Sequence, residues 1–428
     1  MVNTDDSSSG RDHHHRRTIG GHGYFKRLGP GLITGAADDD PSGIGTYSQV
    51  GAAFGFRMVW TTVFALPFAI AVQEATARLG LYSGKGLAAL IKENFRRWVL
   101  FVALALVVGA NTFNIGADLG SMAAATNLVV PIPEVALLMF FGIGMGVLEI
   151  VVPYHQYSRA LRWLCLSLLS YLIVLFVVKV AWSDVLSNLF VPHVGFERKQ
   201  IAALIAIFGT TISPYLFFWQ TAEEVEELKD GNDHETPSAA HLSAMRGDVM
   251  AGMSSGVMAM FAIMVTAAAT LHANGITTIC TADEAAQALE PLAGQLAGLV
   301  FTLGILGTGL LAVPVLAGST SYAIAETFGW REGLSLKMSQ ARAFYWVILG
   351  SMIAGLVMNL LGLDPVRALY WSAILNGLAA PPLILMIFVL TRRAAVLGEH
   401  RSGRLSQTVV LGAALLSAAL PAVYFFAR

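Results

Sequence analysis

The hydrophobic and polar positions of this chain alternate in long blocks rather than residue by residue. Apolar segments of about 20 residues, the length that a helix needs to cross a bilayer, are separated by shorter polar connections. No two-residue period typical of membrane β-strands runs through them, so the pattern predicts helices. We expect an all-α polytopic membrane protein with about 11 transmembrane helices. They are predicted near residues 28–52, 56–78, 98–125, 133–152, 160–180, 198–222, 246–270, 295–322, 343–362, 366–391 and 406–426.

Composition supports this fold class and excludes several kinds of protein. Of the 428 residues, 55% are hydrophobic and 13% are charged, whereas a soluble domain carries about 25% charged residues. A soluble enzyme and a nucleic-acid-binding protein are therefore excluded, and we predict no catalytic residue and no bound cofactor. The nucleotide-binding pattern Gly-x-x-x-x-Gly-Lys-Ser/Thr is absent, which disfavours transport driven by ATP. The two cysteines have no metal-binding or redox spacing.

The distribution of Lys and Arg predicts the orientation. Most of the 27 basic residues fall in the N-terminal tail and in every second connection after it. By the positive-inside rule, these regions face the cytosol, which places the N-terminus inside and the C-terminus outside. Residues 1–23 are polar and no apolar run follows them directly, so we interpret them as a disordered cytosolic tail rather than a signal peptide. The expected location is the plasma or inner membrane.

The first apolar segment contains a predicted helix break. It reads Gly-Pro-Gly-Leu-Ile-Thr-Gly-Ala-Ala-Asp-Asp-Asp-Pro-Ser-Gly-Ile-Gly over residues 29–45. Asp40 followed by Pro41 matches a helix N-cap and first helical position, so a new half-helix should begin at Pro41. Three carboxylates, Asp38, Asp39 and Asp40, would each be costly in lipid. Capping alone would explain Asp40, but it would not explain the two acids before it.

The sixth segment contains a second break of the same kind, in Phe-Gly-Thr-Thr-Ile-Ser-Pro-Tyr-Leu at residues 208–216. Ser213 followed by Pro214 repeats the arrangement of a capping residue and proline. Breaks five helices apart are typical of transporters built from two inverted repeats of five helices. We therefore predict one transmembrane transporter domain at 24–428, with repeats at 28–180 and 198–391 and an extra helix at 406–426.

The candidate ligands at both breaks are oxygen atoms. Asp40 is the main candidate for metal binding, supported by Asp39, Ser213 and Thr210. Freed backbone carbonyls add further oxygens. No Met, Cys or His stands at either break in the sequence. Oxygen ligands suit hard cations such as Mg²⁺, Mn²⁺ or Ca²⁺.

The third helix carries a polar stripe. Asn111, Asn114 and Asp118 are spaced by three and then four residues, which places them on one helical face. This stripe could pass protons or line an ion pathway. Alternatively, Asp118 makes a structural hydrogen bond or an ion pair, for example with Arg342.

Two further groups of acids have structural interpretations. Glu74 is expected to pair with Arg78 four residues later. The acids Glu223, Glu224, Glu226 and Glu227 are expected to form a solvated helix end. The alternative is a negative vestibule that attracts cations. Thr308, which lies among glycines, indicates close helix packing.

The two breaks and the third helix resemble the natural resistance-associated macrophage protein (NRAMP) family of divalent-metal transporters. The resemblance rests on Gly29-Pro30-Gly31, Asp40-Pro41, Pro214 and Ala117-Asp118-Leu119. It implies a leucine-transporter-like fold, eleven helices and proton-coupled metal uptake, with H⁺ as the coupling ion.

Some family positions differ in this chain. The family has an Asn ligand where this chain has Gly43, and a Glu where it has Ser121. The family's Met-Pro-His motif corresponds to Ser213-Pro214-Tyr215 here. The missing thioether weakens the expectation of transition-metal selectivity, and the missing His and Glu weaken that of proton coupling. The chain is similar in this respect to NRAMP-related magnesium transporters, which also lack the Met.

The sequence thus predicts a secondary-active or facilitative transporter of a hard divalent cation, working by alternating access within a lipid bilayer. The alternative is a cation-coupled symporter of a small organic solute or anion, because helix N-termini at Pro41 and Pro214 could bind a carboxylate. The sequence sets no expectation for the oligomeric state.

Overall fold

The computed structural model of this protein describes residues 30–152, 169–230 and 239–426, and within these ranges every regular element is a helix. The predicted tail at 1–23 lies outside the described residues. The longer helices are α1 Pro30–Asp38, α2 Pro41–Phe54, α3 Trp60–Ser83, α4 Leu87–Asn94, α5 Arg97–Asn127, α6 Glu134–Val151, α7 Leu169–Val177, α8 Trp182–Phe190, α9 Arg198–Thr211, α10 Pro214–Asp230, α11 Ala239–Thr270, α12 Ala297–Phe328, α13 Arg342–Leu360, α14 Pro365–Arg392 and α15 Arg404–Phe426. Short helical turns lie at Gly55–Met58, His272–Asn274, Ala282–Ala286, Gln287–Leu289, Glu290–Ala293, Gly294–Leu296 and Ala394–Leu397.

Both predicted helix breaks are confirmed. The first helix ends at Asp38 and α2 begins at Pro41, while α9 ends at Thr211 and α10 begins at Pro214. Proline lacks the backbone N–H that would continue the preceding helix, and it is compatible with a first helical turn. The two pairs of half-helices are enclosed by α5, α11, α12 and α14, so their ends meet in the interior.

Eight helical segments in the described ranges are long and apolar enough to cross a membrane, and one of them, residues 198–229, comprises α9 and α10. The pair formed by residues 41–58 and α3 makes a ninth if it is counted as one span, although it bends by 111°. The chain therefore has the architecture of a multi-pass helical membrane protein. The predicted fifth span at 160–180 lies partly outside the described residues, which contribute α7 to it. The total of eleven stays a prediction.

Small residues allow several helices to approach each other closely. A Cβ on Gly309 would lie 2.6 Å from Met122 Sδ, which confirms the close packing predicted around Thr308. A side chain on Gly209 in α9 would overlap the backbone of Ala373 and Gly377 in α14. Without a hydrophobic driving force between helices in lipid, such backbone proximity supplies much of the packing energy.

The prediction that residues 223–227 form a solvated helix end is wrong for three of its four acids. Glu223, Glu224 and Glu226 are buried, and only Glu227 is exposed. Glu226 accepts hydrogen bonds from the Tyr322 hydroxyl and from the Leu334 N–H, the latter at 2.9 Å. These donors belong to α12 and the connection after it, so tertiary packing covers this helix end.

The predicted pair of Glu74 and Arg78 is confirmed. Both side chains are buried, and Glu74 Oε1 also accepts a bond of 2.9 Å from Arg246 Nε on α11. The ion pair therefore joins α3 to α11, in addition to bridging one turn of α3.

Candidate cation-binding site

Asp40 is the N-cap of α2. Its Oδ1 accepts hydrogen bonds from the Gly43 N–H at 2.7 Å and from the Ser42 hydroxyl at 2.6 Å. These bonds satisfy a donor that the start of a helix leaves free, and the positive end of the helix dipole favours the carboxylate. Asp40 is only 1% exposed. The predicted cap is confirmed, and it fixes the orientation of this carboxylate.

The second oxygen of Asp40 is bound by the third-helix stripe. Asn114 Nδ2 donates to Asp40 Oδ2 at 2.8 Å, which brings these two predicted site residues together. Asn111 faces elsewhere, since its Nδ2 donates to Thr320 Oγ1 at 3.0 Å and to the Leu316 carbonyl at 3.3 Å. Asn111 thus connects α5 to α12, while Asn114 connects α5 to the break.

Asp38 and Asp39 both approach α11. A Cβ built on Gly256 would lie 3.6 Å from Asp38 Oδ2 and 3.7 Å from Asp39 Oδ1. Asp40, by contrast, contacts Asn114 on α5. The three consecutive carboxylates therefore divide into one at α5 and two at α11.

Gly43 lies where the two broken helices meet. A Cβ at this position would lie 3.4 Å from both the Asp38 carbonyl oxygen and Thr210 Oγ1. The Thr210 hydroxyl is therefore close to the first break, as the sequence predicted. Gly43 itself contributes no side chain here, and its N–H is used by Asp40.

The side chains around the second break are hydrogen-bonded to backbone oxygens. The Ser213 hydroxyl donates to the carbonyls of Thr210 at 2.7 Å and Gly209 at 3.1 Å, which bridges the end of α9. Tyr215 donates its hydroxyl proton to the Ala37 carbonyl at 2.8 Å, across to the first break. One of the carbonyls freed by the first break is therefore already bound by the second.

The Asp118 side chain is fully buried near Ser42 and Asp40. Neither carboxylate oxygen has a hydrogen-bond partner among the described residues, although the Ser42 N–H points towards it and Asp40 is near enough to interact electrostatically. The alternative of an ion pair with Arg342 is wrong. Arg342 is exposed at the start of α13, and no pair joins it to Asp118 in the described part of the chain.

Several buried oxygen atoms at this site have no hydrogen-bond partner among the described residues. They include oxygens of Asp38, Asp39, Asn114 and Asp118. No ion pair found in the same ranges involves the acids at the break or Asp118. An isolated buried carboxylate is strongly disfavoured, so this arrangement requires a cation, protons or water.

Within the described residues, no three Asp, Glu, His or Cys side chains are grouped as a metal site. A cation at Asp40 would therefore bind at most two carboxylates, together with neutral oxygens and water. Mg²⁺ tolerates such a set, since it retains several of its waters in many protein sites.

Two thioethers near the breaks were not foreseen from the sequence. Met260 Sδ on α11 lies 3.7 Å from Thr211 Oγ1. Met122 on α5 and Pro41 both lie beside Gly309, within 3.3 Å of a Cβ built there. Both methionines are distant in the sequence from the residues that they approach, and neither belongs to a local motif. The sequence therefore did not indicate these contacts.

The pattern of the natural resistance-associated macrophage protein-like (Nramp) family matches residues 31–427, which include both breaks and the polar stripe. The chain belongs to the Nramp family. The predicted family resemblance is confirmed by this match.

Individual Nramp relatives and related folds agree with the family match. The chain is 26% identical over 383 residues to a divalent metal cation transporter MntH of Klebsiella pneumoniae subsp. pneumoniae, covering 87% of each chain. It is similar in structure to a manganese transporter of Eremococcus coleocola, with a TM-score of 0.72, 18% identity and coverage of 95% of this chain and 89% of that one. Mhp1, a nucleobase-cation-symport-1 family transporter, gives a TM-score of 0.57 at 14% identity, with coverage of 93% and 92%. These likenesses confirm the leucine-transporter-like fold class.

Proposed function

We propose that this Nramp protein transports a hard divalent cation of the Mg²⁺ or Mn²⁺ class across a membrane by alternating access. One observation carries the proposal. Four buried acids, Asp38, Asp39, Asp40 and Asp118, surround the helix breaks without a basic partner in the described part of the chain. Transport of a cation explains why these acids are buried without basic partners, whereas a role in helix packing does not.

Asp40 is the proposed direct ligand, because the cap on α2 fixes its orientation. The Asn114 side-chain oxygen, which is buried and has no partner in the described ranges, is a second oxygen beside it. Thr210 and Ser213 supply hydroxyl oxygens from the other broken helix. Water completes the coordination, as is usual for a small, strongly hydrated cation.

Asp39 and Asp38 would act on the α11 side of the break. We propose that they lower the energy of the cation as it passes and that Asp118 takes part in its exit or in proton movement. Coupling to H⁺ is part of this proposal, since an acid without a partner can bind either a proton or a metal ion. We propose that the protein lies in the plasma or inner membrane, with its N-terminus in the cytosol.

Transport of an organic anion at the break is less well supported. The helix N-terminus at Pro41 would be the expected anion site. Its Gly43 N–H is already bound by Asp40 Oδ1 at 2.7 Å, and three further carboxylates lie nearby. An anion placed there would displace the cap and meet like charges.

The decisive experiment is uptake of a panel of ions into proteoliposomes, with and without a pH gradient. Asn caps a helix as well as Asp does, so Asp40→Asn removes the charge but preserves the cap. We expect wild-type protein to take up Mg²⁺ or Mn²⁺ and Asp40→Asn to lose uptake. Asp184→Asn, which alters an exposed acid of α8, is the matched control and should behave as wild type. Wild-type uptake by Asp40→Asn would contradict the assignment.

A further inference from the structure

One amide side chain in the middle of α14 is buried without a hydrogen bond. Asn376 is 0% exposed, and neither its Oδ1 nor its Nδ2 has a partner among the described residues. Burying an amide without compensating hydrogen bonds is costly, and most buried polar groups in proteins are paired. An exception of this kind is typical of a binding site, where the side chain is kept available for an ion or water.

Other asparagines of the long helices are used differently. Asn111, Asn114 and Asn359 each donate from Nδ2 to another segment of the helix bundle, as a structural Asn is expected to do. In the ranges that the structure describes, only one other side chain has two buried polar atoms that both lack a partner. It is Asp118, one of the four acids of the proposed cation site. Asn376 therefore shares its unusual state with a residue of that site.

The register of α14 places Asn376 on the side that faces the cation site. Asn376 follows Leu369 by seven residues, which is about two turns, so both lie on one face of the helix. Leu369 packs with Ala117 of α5, and its Cδ1 lies 2.9 Å from a Cβ built on Gly45 of α2. The capped helix α2 and the helix with the polar stripe, α5, are thus the neighbours of this face.

The backbone next to Asn376 contacts the helix that ends at the second break. A Cβ built on Gly209 would lie 2.3 Å from the Gly377 nitrogen and 2.7 Å from its Cα. Gly209 lies two residues before the end of α9, and its carbonyl accepts the Ser213 hydroxyl at 3.1 Å. Since Asn376 directly precedes Gly377, its backbone lies within about one helical turn of the second break.

Two prolines add backbone oxygens beside Asn376. Pro381 and Pro382 lie inside α14 and have no N–H group to donate. The carbonyls four residues earlier, at Gly377 and Leu378, therefore lose their usual helical donors. This part of α14 combines an unpaired amide with backbone acceptors, as the two helix breaks combine unpaired side chains with freed carbonyls.

We propose that Asn376 Oδ1 is a further ligand of the transported cation, contributed by α14. This inference rests on the proposed function, and it adds a helix that supplies none of the ligands named there. The amide oxygen joins the Asp40 carboxylate and the Asn114 amide oxygen, and a set of such oxygens suits a hard cation. Asn376 Nδ2 is a donor for the carboxylate oxygens of the same site, several of which lack a partner in the described part of the chain. Both ends of the amide thereby gain a function that helix packing does not give them.

Calorimetric titration of the full-length protein with Mg²⁺ and Mn²⁺, together with thermal unfolding in the absence of metal, tests this role. Asn376→Ala removes the proposed ligand, so we expect affinity to fall about tenfold. It also removes a costly unpaired group, so the midpoint of metal-free unfolding should stay the same or rise. Asn376→Asp keeps an oxygen at the same position and should bind the cation at least as tightly as wild type.

Asn359 provides the matched control. Its Nδ2 donates to the carbonyls of Gly116 at 2.6 Å and Gly355 at 3.0 Å, which is a structural use of the same side chain. Asn359→Ala should therefore lower the midpoint of unfolding and leave cation affinity unchanged.

The outcomes separate this inference from the proposed function. Tight binding by Asn376→Asp together with weak binding by Asn376→Ala would support the ligand role, even if either variant were less stable. Wild-type affinity in Asn376→Ala, or equally weakened binding in both variants, would overturn this inference alone. Absence of cation binding by the wild-type protein would overturn the proposed function as well.

Discussion

Asn114 Nδ2 donates a hydrogen bond of 2.8 Å to Asp40 Oδ2, and this contact joins α5 to the break between α1 and α2. Asp40 Oδ1 is already held by the start of α2. One carboxylate is thus fixed from two sides, while the Asn114 side-chain oxygen stays without a partner in the described ranges. The arrangement resembles a cation site in which the protein has aligned its oxygens in advance.

The first prediction concerns Asn114. Replacing it by Leu removes both the donor to Asp40 and the free amide oxygen, so we expect cation affinity to fall about tenfold, corresponding to one lost hydrogen bond to a charged group. Asn127→Leu at the C-terminal end of the same helix, where the half-buried Asn127 donates to the Ile132 carbonyl, should leave affinity unchanged. Titration of both variants with Mg²⁺ and Mn²⁺ measures the difference, and equal affinities would show that Asn114 has no part in the site.

The second prediction concerns the contact between α9 and α14. A Cβ on Gly377 would overlap the Ile205 carbonyl, so Gly377→Ala should destabilise the fold by about 1–3 kcal/mol through overpacking. Gly350 in α13 faces open space, and Gly350→Ala should be neutral or stabilising because Ala favours helices. Thermal unfolding in detergent measures both variants. A stable Gly377→Ala protein would show that the two helices can move apart freely.

The third prediction is that the stability of the folded state depends on pH through Glu332, which lies near Glu226 at one end of the helix bundle. Burial raises the pKa of Glu332 above its usual value, and the charge of Glu226 raises it further, while Lys229 opposes the shift. A carboxyl group with a raised pKa binds its proton more tightly in the folded state than in the unfolded state. The folded state should therefore lose stability as the pH rises through the range between the usual and the raised pKa.

Thermal unfolding measured across mildly acidic and neutral pH tests this third prediction. Glu332→Gln mimics the protonated form and should flatten the decline. The exposed acid Glu93 provides the control, since Glu93→Gln should leave the slope of stability against pH as in wild type. A slope in Glu332→Gln identical to that of wild type would assign the dependence to other groups.

The fourth prediction concerns metal selectivity. Ser213→Met introduces a thioether beside Thr210, where the hydroxyl of Ser213 now donates to backbone carbonyls. Thioethers favour softer metals, so we expect competition by Cd²⁺ against Mg²⁺ to strengthen. The control is Ser187→Met, which changes an exposed residue of α8. An unchanged order of ion competition would place the cation away from residue 213.

The breaks were predictable from the sequence because their causes are local. Asp40-Pro41 and Ser213-Pro214 each contain a residue that can stop one helix and a proline that can start the next, and both breaks occur at these positions. The Asp40 cap could also be inferred, since it involves only the following three residues. Local patterns of this kind depend less on the rest of the chain than contacts between distant helices do.

Features that depend on distant parts of the chain were not accessible in the same way. Glu226 looked like part of a solvated run, but Tyr322 and Leu334 cover it from about a hundred residues away. Asp118 was given Arg342 as a candidate partner on charge alone, and the structure keeps them apart. The bond of Tyr215 to Ala37 and the approach of Met260 to Thr211 are likewise products of helix packing.

The central claim is that Asp40 binds a divalent cation, and calorimetric titration of purified protein with Mg²⁺ and Mn²⁺ tests it most directly. We expect saturable binding to wild type, retained binding in Asp184→Asn and no measurable binding in Asp40→Asn, whose helix cap is preserved. Binding of equal affinity in wild type and Asp40→Asn would contradict the account.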